Sequence, residues 1–311
     1  MQIRRSATGF EVLAPAKINL FFEVLSQRSD GFHEVETLMA PIGLYDTLFL
    51  EDDPSGQVTL AARWALAYGK PAGIAGPNGA ADQWEKLPEV EHNHAVRAIR
   101  LLARHAGIKR GAKLQLIKRI PAAAGLGGGS SDAAAALLAA NLAWSLNWPV
   151  AQLWAVAAEI GSDVPFFLNS RTAVCRGKGE QIELVDRIGR LHLVIVKPPV
   201  GLSTATVYQA CQVGNPPQRV EPVVEAFRKQ DWKSLGPQAH NRLLEPARNL
   251  SSWIDKVLDQ LAKENCPVVG MSGSGSACFA ICNSAVQSRR VAAKLRNRHP
   301  GLGNVWSVSS V

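Results

Sequence analysis

The sequence predicts a mixed fold of helices and strands, α/β or α+β, with room for two domains. Three observations predict it. The chain has 311 residues, 47% of them hydrophobic and 6% aromatic, which is the composition of an ordinary globular protein and enough for two cores at roughly 100–200 residues per domain. Apolar or β-branched runs at Phe10–Leu13, Ile18–Leu25, Lys113–Ile117 and Leu191–Val196 read as strands. Elsewhere the spacing is helical, as for Val96, Ile99, Leu102 and Ala103 within Ala95–His105.

Taken in order, Arg28–Phe32 reads as a polar turn after the second strand, and Tyr68–Glu91 as a surface loop or partly ordered insertion, from its Gly, Pro, Ala and Asn content. Lys113–Ile117 then leads into a glycine-rich segment. The Ala- and Leu-rich run from Ala133 onward reads as a buried helix, because Asn141, Asn147, Pro149 and Gln152 interrupt it before about 18 clean apolar residues accumulate. After Asp163 the pattern changes. The run Leu191–Val196 stops at Pro198-Pro199, and an amphipathic helix over Leu250–Leu261 precedes a loop and strand at Gly270–Cys282. A domain boundary near Gly189 follows, giving units 1–188 and 189–311.

The formal net charge of +8 raises the question of nucleic acid. In the basic stretch Arg289, Arg290, Lys294, Arg296 and Arg298, however, Val291, Ala292 and Leu295 supply an apolar stripe, as on a solvated surface helix. No nucleic-acid partner is expected, and a basic surface suits small substrates carrying several phosphates. The five cysteines show no Cys-x-x-Cys spacing, so neither zinc nor a disulfide framework is implied and reduced thiols in the cytoplasm are expected. No signal segment precedes Ala14, and no membrane association is expected.

The run Ile120-Pro121-Ala122-Ala123-Ala124-Gly125-Leu126-Gly127-Gly128-Gly129-Ser130-Ser131-Asp132 joins a glycine-rich turn to a helix start. Four glycines allow φ > 0 and close approach to a ligand, and Ser130, Ser131 and Asp132 fall where an N-cap and first helical turn are expected. Unpaired N–H groups and the positive end of the helix dipole then face an anion. A flexible linker would not run straight into Ala-Ala-Ala-Ala-Leu-Leu. No lysine follows Gly129, which excludes the nucleoside-triphosphatase loop, and Gly125-x-Gly127 lacks the βαβ context of a dinucleotide fingerprint.

This segment resembles the second motif of the galactokinase, homoserine kinase, mevalonate kinase and phosphomevalonate kinase superfamily, the GHMP kinases. Ala14-Pro15-Ala16-Lys17-Ile18-Asn19-Leu20 is similar to the first motif and Gly270-Met271-Ser272-Gly273-Ser274-Gly275-Ser276-Ala277-Cys278 to the third, in the required order. The extension Gln27–Leu38 and the segment Gly161-Ser162-Asp163-Val164-Pro165-Phe166-Phe167 resemble the branch that acts on a cytidine-diphosphate-linked sugar alcohol in non-mevalonate isoprenoid biosynthesis. The resemblance implies an α+β, two-domain fold: an N-terminal domain of the ribosomal-protein-S5 second-domain type, a ferredoxin-like C-terminal domain, and an active site between them. It implies ATP as phosphate donor, with Mg²⁺ mainly on its phosphates and Ser131 or a water as further contacts; no metal-ligand cluster is seen in the sequence.

Phosphoryl transfer to an alcohol needs in-line placement, charge neutralisation and an acceptor for the hydroxyl proton. Asp163 lies on a tight turn; read alone it is as well explained as an Asx-turn or N-cap residue, and the resemblance makes it the general base. Lys17, flanked by Ala16 and Ile18, needs an acidic or phosphate partner if buried, or else snorkels from an edge strand; the resemblance pairs it with Asp163 and the γ-phosphate. By the same route Pro121, Ala122, Ala123, Ala124, Gly125, Leu126, Gly127, Gly128, Gly129, Ser130 and Ser131 wrap the phosphates, with Asn93 and Lys118 near the adenosine. Asp30, Phe32 and His33 meet the cytidine, Phe32 by stacking and His33 by hydrogen bonds to the base edge. Tyr208 closes the stack, and Asn19, Thr204, Gly273, Ser274 and Gly275 complete the substrate site. The chain departs from the pattern at His92-Asn93-His94, where Asp-Asn-Leu is usual, and at Phe32, where tyrosine is frequent. Two alternatives stand: a homoserine- or mevalonate-type kinase, disfavoured by Asp30-Gly31-Phe32-His33, and a non-catalytic nucleotide sensor, disfavoured by the presence of both Lys17 and Asp163.

Overall fold

Two long strands, β2 (Phe10–Gln27) and β3 (His33–Asp53), form the spine of the molecule and pair antiparallel along most of their length. The structure is a computed structural model describing residues 1–65, 87, 89–186, 188–231, 234–236 and 239–311. β1 (Gln2–Arg5) lies outside β2. On the other side of β3, β5 (Gly111–Lys118) pairs with its second half and β6 (Ala173–Arg176) with Thr37–Met39. β4 (Val58–Trp64) runs parallel to β5, and β7 (Gln181–Leu184) extends β6, so among the described residues this sheet has seven strands. Helices α1 (His94–Ala106), α2 (Gly128–Ala143), α3 (Val150–Ile160) and α4 (Val164–Asn169) pack with it. A second, antiparallel sheet has the order β11 (Asn304–Ser309), β8 (His192–Lys197), β10 (Cys278–Cys282), β9 (Val268–Met271). Mainly antiparallel sheets with segregated helices make the class α+β.

The expected strands Phe10–Leu13 and Ile18–Leu25 are one strand. Pro15, which lacks an N–H, lies between the two runs, and a β-bulge between Pro15 and Ala16 accommodates it. The bulge also sets the site. Residues two apart on an unbroken strand share a face, yet Ala14 packs in the core under the helices and Ala16 in the core between the sheets. Ala16 and Ile18 therefore face the second sheet, and Lys17 and Asn19 point to the side of α2 and α4.

Three apolar cores follow from this layering. One joins the first sheet to α1–α4, with Leu137, Leu153 and Phe167 fully buried; a second lies between the sheets around Ile18, Leu38, Ile195 and Phe279; a third covers the far face of the second sheet. The Ala-rich α2 is buried over Ala133–Leu137, and among the described residues no helix is long and apolar enough to cross a membrane. The basic helix Ala285–Arg298 buries Ser288, Val291, Ala292 and Leu295 and exposes Arg289, Arg290, Arg296 and Arg298. The helix expected over Leu250–Leu261 starts at Trp253. Leu250 instead ends a preceding helix, Leu244–Leu250, and Ser251 is extended between the two. Most of the segment read as a loop, Tyr68–Glu91, lies outside the described residues; its end, Val90–His92, is a 3-10 turn.

Candidate active site

The glycine segment forms the turn between β5 and α2. Gly125 and Gly127 both have φ of 70°, and Ala123 has φ of 47°. Gly127 is the N-cap, so α2 starts at Gly128, and Gly128 and Gly129 are helical rather than left-handed. The helix therefore begins earlier than expected, and Ser130, Ser131 and Asp132 all lie inside it. The first N–H groups of a helix have no carbonyl within it, and here Gly127–Ser130 line the wall of a large cavity.

The two left-handed glycines are required by protein neighbours. A Cβ on Gly125 would lie 2.1 Å from the Ser272 carbonyl, and one on Gly127 would lie 2.8 Å from the Phe167 ring and 3.1 Å from Lys17 Cγ. The loop is laced to two distant segments. Lys17 N–H donates to the Leu126 carbonyl (3.0 Å) and Ala277 N–H to the Ala124 carbonyl (3.1 Å). Ser272 Oγ donates to the Gly125 carbonyl (2.9 Å) and accepts from the Asn19 N–H (3.1 Å). The Ser272–Gly273 turn is itself held by Asn241 Nδ2, which donates to the carbonyls of Met271 and Gly273, each at 2.8 Å.

Lys17 is buried, and a buried ammonium needs partners. Its Nζ donates to Asn19 Oδ1 at 2.6 Å and stands 3.5 Å from Asp163 Oδ2. Asp163 is at the N-cap of α4 but its side chain makes no capping bond, and it is about one-third exposed toward the cavity. A carboxylate near a lysine and open to a cavity can accept a proton from a bound hydroxyl.

Farther along the cavity, Lys118 is buried between the carboxylates of Asp46 and Asp132. Asp46 also accepts from the Ile120 N–H at 2.9 Å. Burial pushes the Asp132 carboxyl up to about 8, with Lys118 opposing it and Asp46 adding to it. Burial alone would lower Lys118, but the two carboxylates outweigh it and hold its value above the ordinary one. Asn93 Oδ1 caps α1 by accepting from the Ala95 N–H (2.9 Å). His94, behind it on the cavity wall, is lowered by burial and then by Arg97 and Lys118.

At the opposite end the Arg28–Phe32 turn presents the Phe32 ring, and His33 opens β3 beside it. Phe32 is 53% exposed and carries Lys178 Nζ over its ring at 4.6 Å. The His33 ring lies 5.0 Å from that of Tyr208, which comes from the helix Thr204–Gln209. Thr204 Oγ1 and Ser274 Oγ are hydrogen-bonded at 2.9 Å, joining that helix to the third glycine segment.

The cavity, of about 1160 Å³, brings together Lys17, Asn93, Lys118, Pro121–Ser130, Asp163, Phe32, His33, Thr204, Tyr208, Gly273 and Ser274. Four expected site residues are not on its wall. Asn19 is buried behind Lys17; Asp30 shapes the turn, accepting from Phe32 N–H at 3.1 Å; Gly275, at φ of 80°, supports the loop from behind. Ser131 is fully buried, with Oγ lacking a hydrogen-bond partner, because the early start of α2 turns it inward and leaves Ser130 on the cavity wall. Sequence reading missed Asp46, Asp132, Ser272 and Asn241; of these, Asp132 and Ser272 stand inside quoted motifs, and nothing local marks Asp46 or Asn241.

The model of the GHMP kinases N terminal domain matches residues 93–171 and that of the GHMP kinases C terminal matches residues 223–301. The chain is 37% identical to the 4-diphosphocytidyl-2-C-methyl-D-erythritol kinase of Pelotomaculum thermopropionicum, over 91% of this chain and 93% of that one. It is also 37% identical to the protein of the same name from Rhodopirellula baltica, over 92% and 91%. A crystal structure of 4-(cytidine 5'-diphospho)-2C-methyl-D-erythritol kinase superposes with a TM-score of 0.74 at 34% identity, covering 96% of this chain and 98% of that one. Homoserine kinase from Cytophaga hutchinsonii shares the fold, with a TM-score of 0.72 at 19% identity over 100% and 97% of the two chains. With its glycine turn lining the cavity, its lysine–aspartate pair and these relatives across nine-tenths of its length, the chain belongs to the GHMP kinases, ATP-dependent kinases of small molecules.

Proposed function

We propose that the protein transfers the γ-phosphoryl group of ATP to the 2-hydroxyl of 4-diphosphocytidyl-2-C-methyl-D-erythritol, a step of non-mevalonate isoprenoid synthesis. The observation that carries this reading is the Lys17–Asp163 pair, set in one cavity between the glycine turn and the Phe32–His33–Tyr208 cluster. The cavity exceeds the usual volume of a single-ligand site, about 300–1,000 Å³, as two substrates require.

In this reading the N–H groups at the start of α2 hold the phosphates. Asp163 accepts the proton of the substrate hydroxyl as its oxygen bonds to the γ-phosphorus, and the bond from that phosphorus to the bridging oxygen breaks to release ADP. Lys17 pairs with the carboxylate and stabilises the charge that develops on the transferred group. Mg²⁺ would ride on the phosphates and neutralise them, with the Ser130 hydroxyl the protein oxygen at that turn. Lys118 and Asn93 flank the adenosine, and Phe32, His33 and Tyr208 take the cytosine. Residues 1–188 and 189–311 act as the two domains, and the reaction is placed in the cytoplasm.

The test is direct. Purified protein with ATP, Mg²⁺ and the cytidine substrate should release one ADP for each substrate phosphorylated, with no turnover of homoserine or mevalonate. Turnover of either of those in place of the cytidine substrate would overturn the reading.

A further inference from the structure

Behind Lys17 the sheet carries a short relay of buried polar groups. Lys17 Nζ donates to Asn19 Oδ1 at 2.6 Å, Asn19 Nδ2 donates to Thr37 Oγ1 at 2.8 Å, and Thr37 Oγ1 donates to the Phe21 carbonyl at 2.6 Å. Asn19 and Thr37 are 3% and 2% exposed. The relay passes from Asn19 on β2 to Thr37 on β3 beside the bulge between Asn19 and Phe21.

The direction of this relay is forced by proton counting. A hydroxyl has one proton to give, and Thr37 gives it to the Phe21 carbonyl. Toward Asn19 it offers only a lone pair, so it accepts from Nδ2 and requires the amide to present its NH₂ group. The amide oxygen is thereby turned to Lys17. In the flipped orientation an NH₂ would face an ammonium, donor against donor, and Thr37 would have to abandon the carbonyl. Among the described residues the hydrogen bond to Thr37 is the only one that Asn19 Nδ2 makes. The backbone of Asn19 is fixed separately, by its N–H to Ser272 Oγ at 3.1 Å; that hydroxyl also lies 3.4 Å from Asn19 Oδ1 but is closer to the Gly125 carbonyl, at 2.9 Å, so Thr37 is the partner that holds the NH₂ side of the amide.

We propose that Thr37 is a positioning residue: it locks the Asn19 amide so that its oxygen holds the Lys17 ammonium between Asp163 and the transferring phosphoryl group. The proposal rests on the reading of Lys17 and Asp163 given above. Without Thr37 the amide can rotate, and the ammonium loses the acceptor that fixes its direction.

The experiment compares Thr37→Val, Thr37→Ala and Thr37→Ser with Asp163→Asn, using ATP, Mg²⁺ and 4-diphosphocytidyl-2-C-methyl-D-erythritol. It adds nitrogen-15 NMR of the Asn19 side-chain amide, assigned by its loss in Asn19→Ser. Thr37→Val should lower kcat about 10–100-fold, the scale of a small misplacement at a reacting centre, with KM for ATP within about twofold. Its Asn19 amide signals should shift and exchange faster. Thr37→Ser should restore both kcat and the signals. Unmoved amide signals or wild-type kcat in Thr37→Val would overturn the proposal, as would a Thr37→Ser protein no better than Thr37→Val. Unfolding of both the Val and Ala variants would mark a purely structural role and overturn it too. Full turnover by Asp163→Asn would instead remove the underlying reading, and loss of turnover there with wild-type Thr37→Val would remove this proposal alone. If the wild-type protein leaves the cytidine substrate unchanged, the amide signals decide.

Discussion

Asp163 occupies the N-cap of α4, leaves the capping bond unmade, and holds its carboxylate 3.5 Å from Lys17 Nζ. An Asp at that position ordinarily satisfies a helix N–H. Here it forgoes that bond and stays partly open to the cavity, an arrangement that favours a role on a ligand over one on the helix.

Replacing Asp163 by Asn preserves shape and removes the proton acceptor. Turnover should drop by about 10²–10⁴, while titration calorimetry should show near-normal binding of a non-hydrolysable ATP analogue. Near-normal turnover would sink the assignment of Asp163 as base.

Gly127→Val tests the turn. A β-branched residue resists φ of 70°, and its Cβ would press on the Phe167 ring and Lys17 Cγ. Strain at such a site costs about 1–3 kcal/mol, so affinity for the ATP analogue should fall by about tenfold or more while the cytidine substrate binds much as before. Unchanged analogue affinity in calorimetry would contradict the phosphate-turn reading.

Base selection should divide between two neighbours. Stacking tolerates any base and is worth about 1–3 kcal/mol, whereas hydrogen bonds to a base edge discriminate, since a mismatch leaves buried polar groups unpaired. Phe32→Ala should therefore raise KM for the cytidine substrate and its uridine analogue alike, and His33→Ala should narrow the gap between them. An untouched cytidine preference in His33→Ala would remove His33 as the reader of the base.

Glu23 predicts the response to acid. Its carboxylate is fully buried on β2 and binds Arg242 at 2.7 and 2.8 Å, the Gln218 N–H at 2.9 Å and His240 at 3.1 Å. Burial would raise its pKa, but Arg242, the Gln218 and Val24 N–H groups and His240 together bring it below the ordinary 4.5. A carboxyl with a depressed folded value contributes stability above its unfolded pKa and loses it as pH falls through the folded one. Melting curves of Glu23→Gln should accordingly lose less on acidification below pH 4.5 than those of the wild type. Arg242→Met should destabilise by about 3–5 kcal/mol at neutral pH, since it strands a buried charge. Equal acid sensitivity of Glu23→Gln and wild type would show that Glu23 does not carry the effect.

The glycine turn, Lys17 and the Gly161–Phe167 segment were legible in sequence because each is a run of neighbours whose local chemistry is unusual. The relations among them were not. Asn19 meets Ser272 across 253 residues and Lys118 meets Asp46 across 72, and no local pattern encodes such pairings. Phe10–Leu13 and Ile18–Leu25 read as two strands because a bulge is visible only once the partner strand is in place. Ser131 lies off the cavity wall for a related reason: left-handed Gly127 starts the helix early, and a shift of that kind rotates the next residues by about 100° each. Nothing in the sequence around Glu23 or Arg242 marks the pair, since charged residues are seldom fully buried unless paired and the two are 219 residues apart.

The hydroxyl of Ser272 reaches the carbonyl of Gly125 from 147 residues further along the chain. During synthesis the glycine turn leaves the ribosome long before the segment that braces it. A nascent chain that ends before Ser272 already holds every residue of the turn, with the Leu126 carbonyl held by Lys17 N–H but the Ala124 and Gly125 carbonyls still without the partners that brace them. If the turn holds nucleotide as proposed, full nucleotide affinity should consequently arise late, after Ser272 and Ala277 have been made. A protein truncated before Ser272 would retain the nucleotide signature in its sequence and lose the braced shape that gives the signature its meaning.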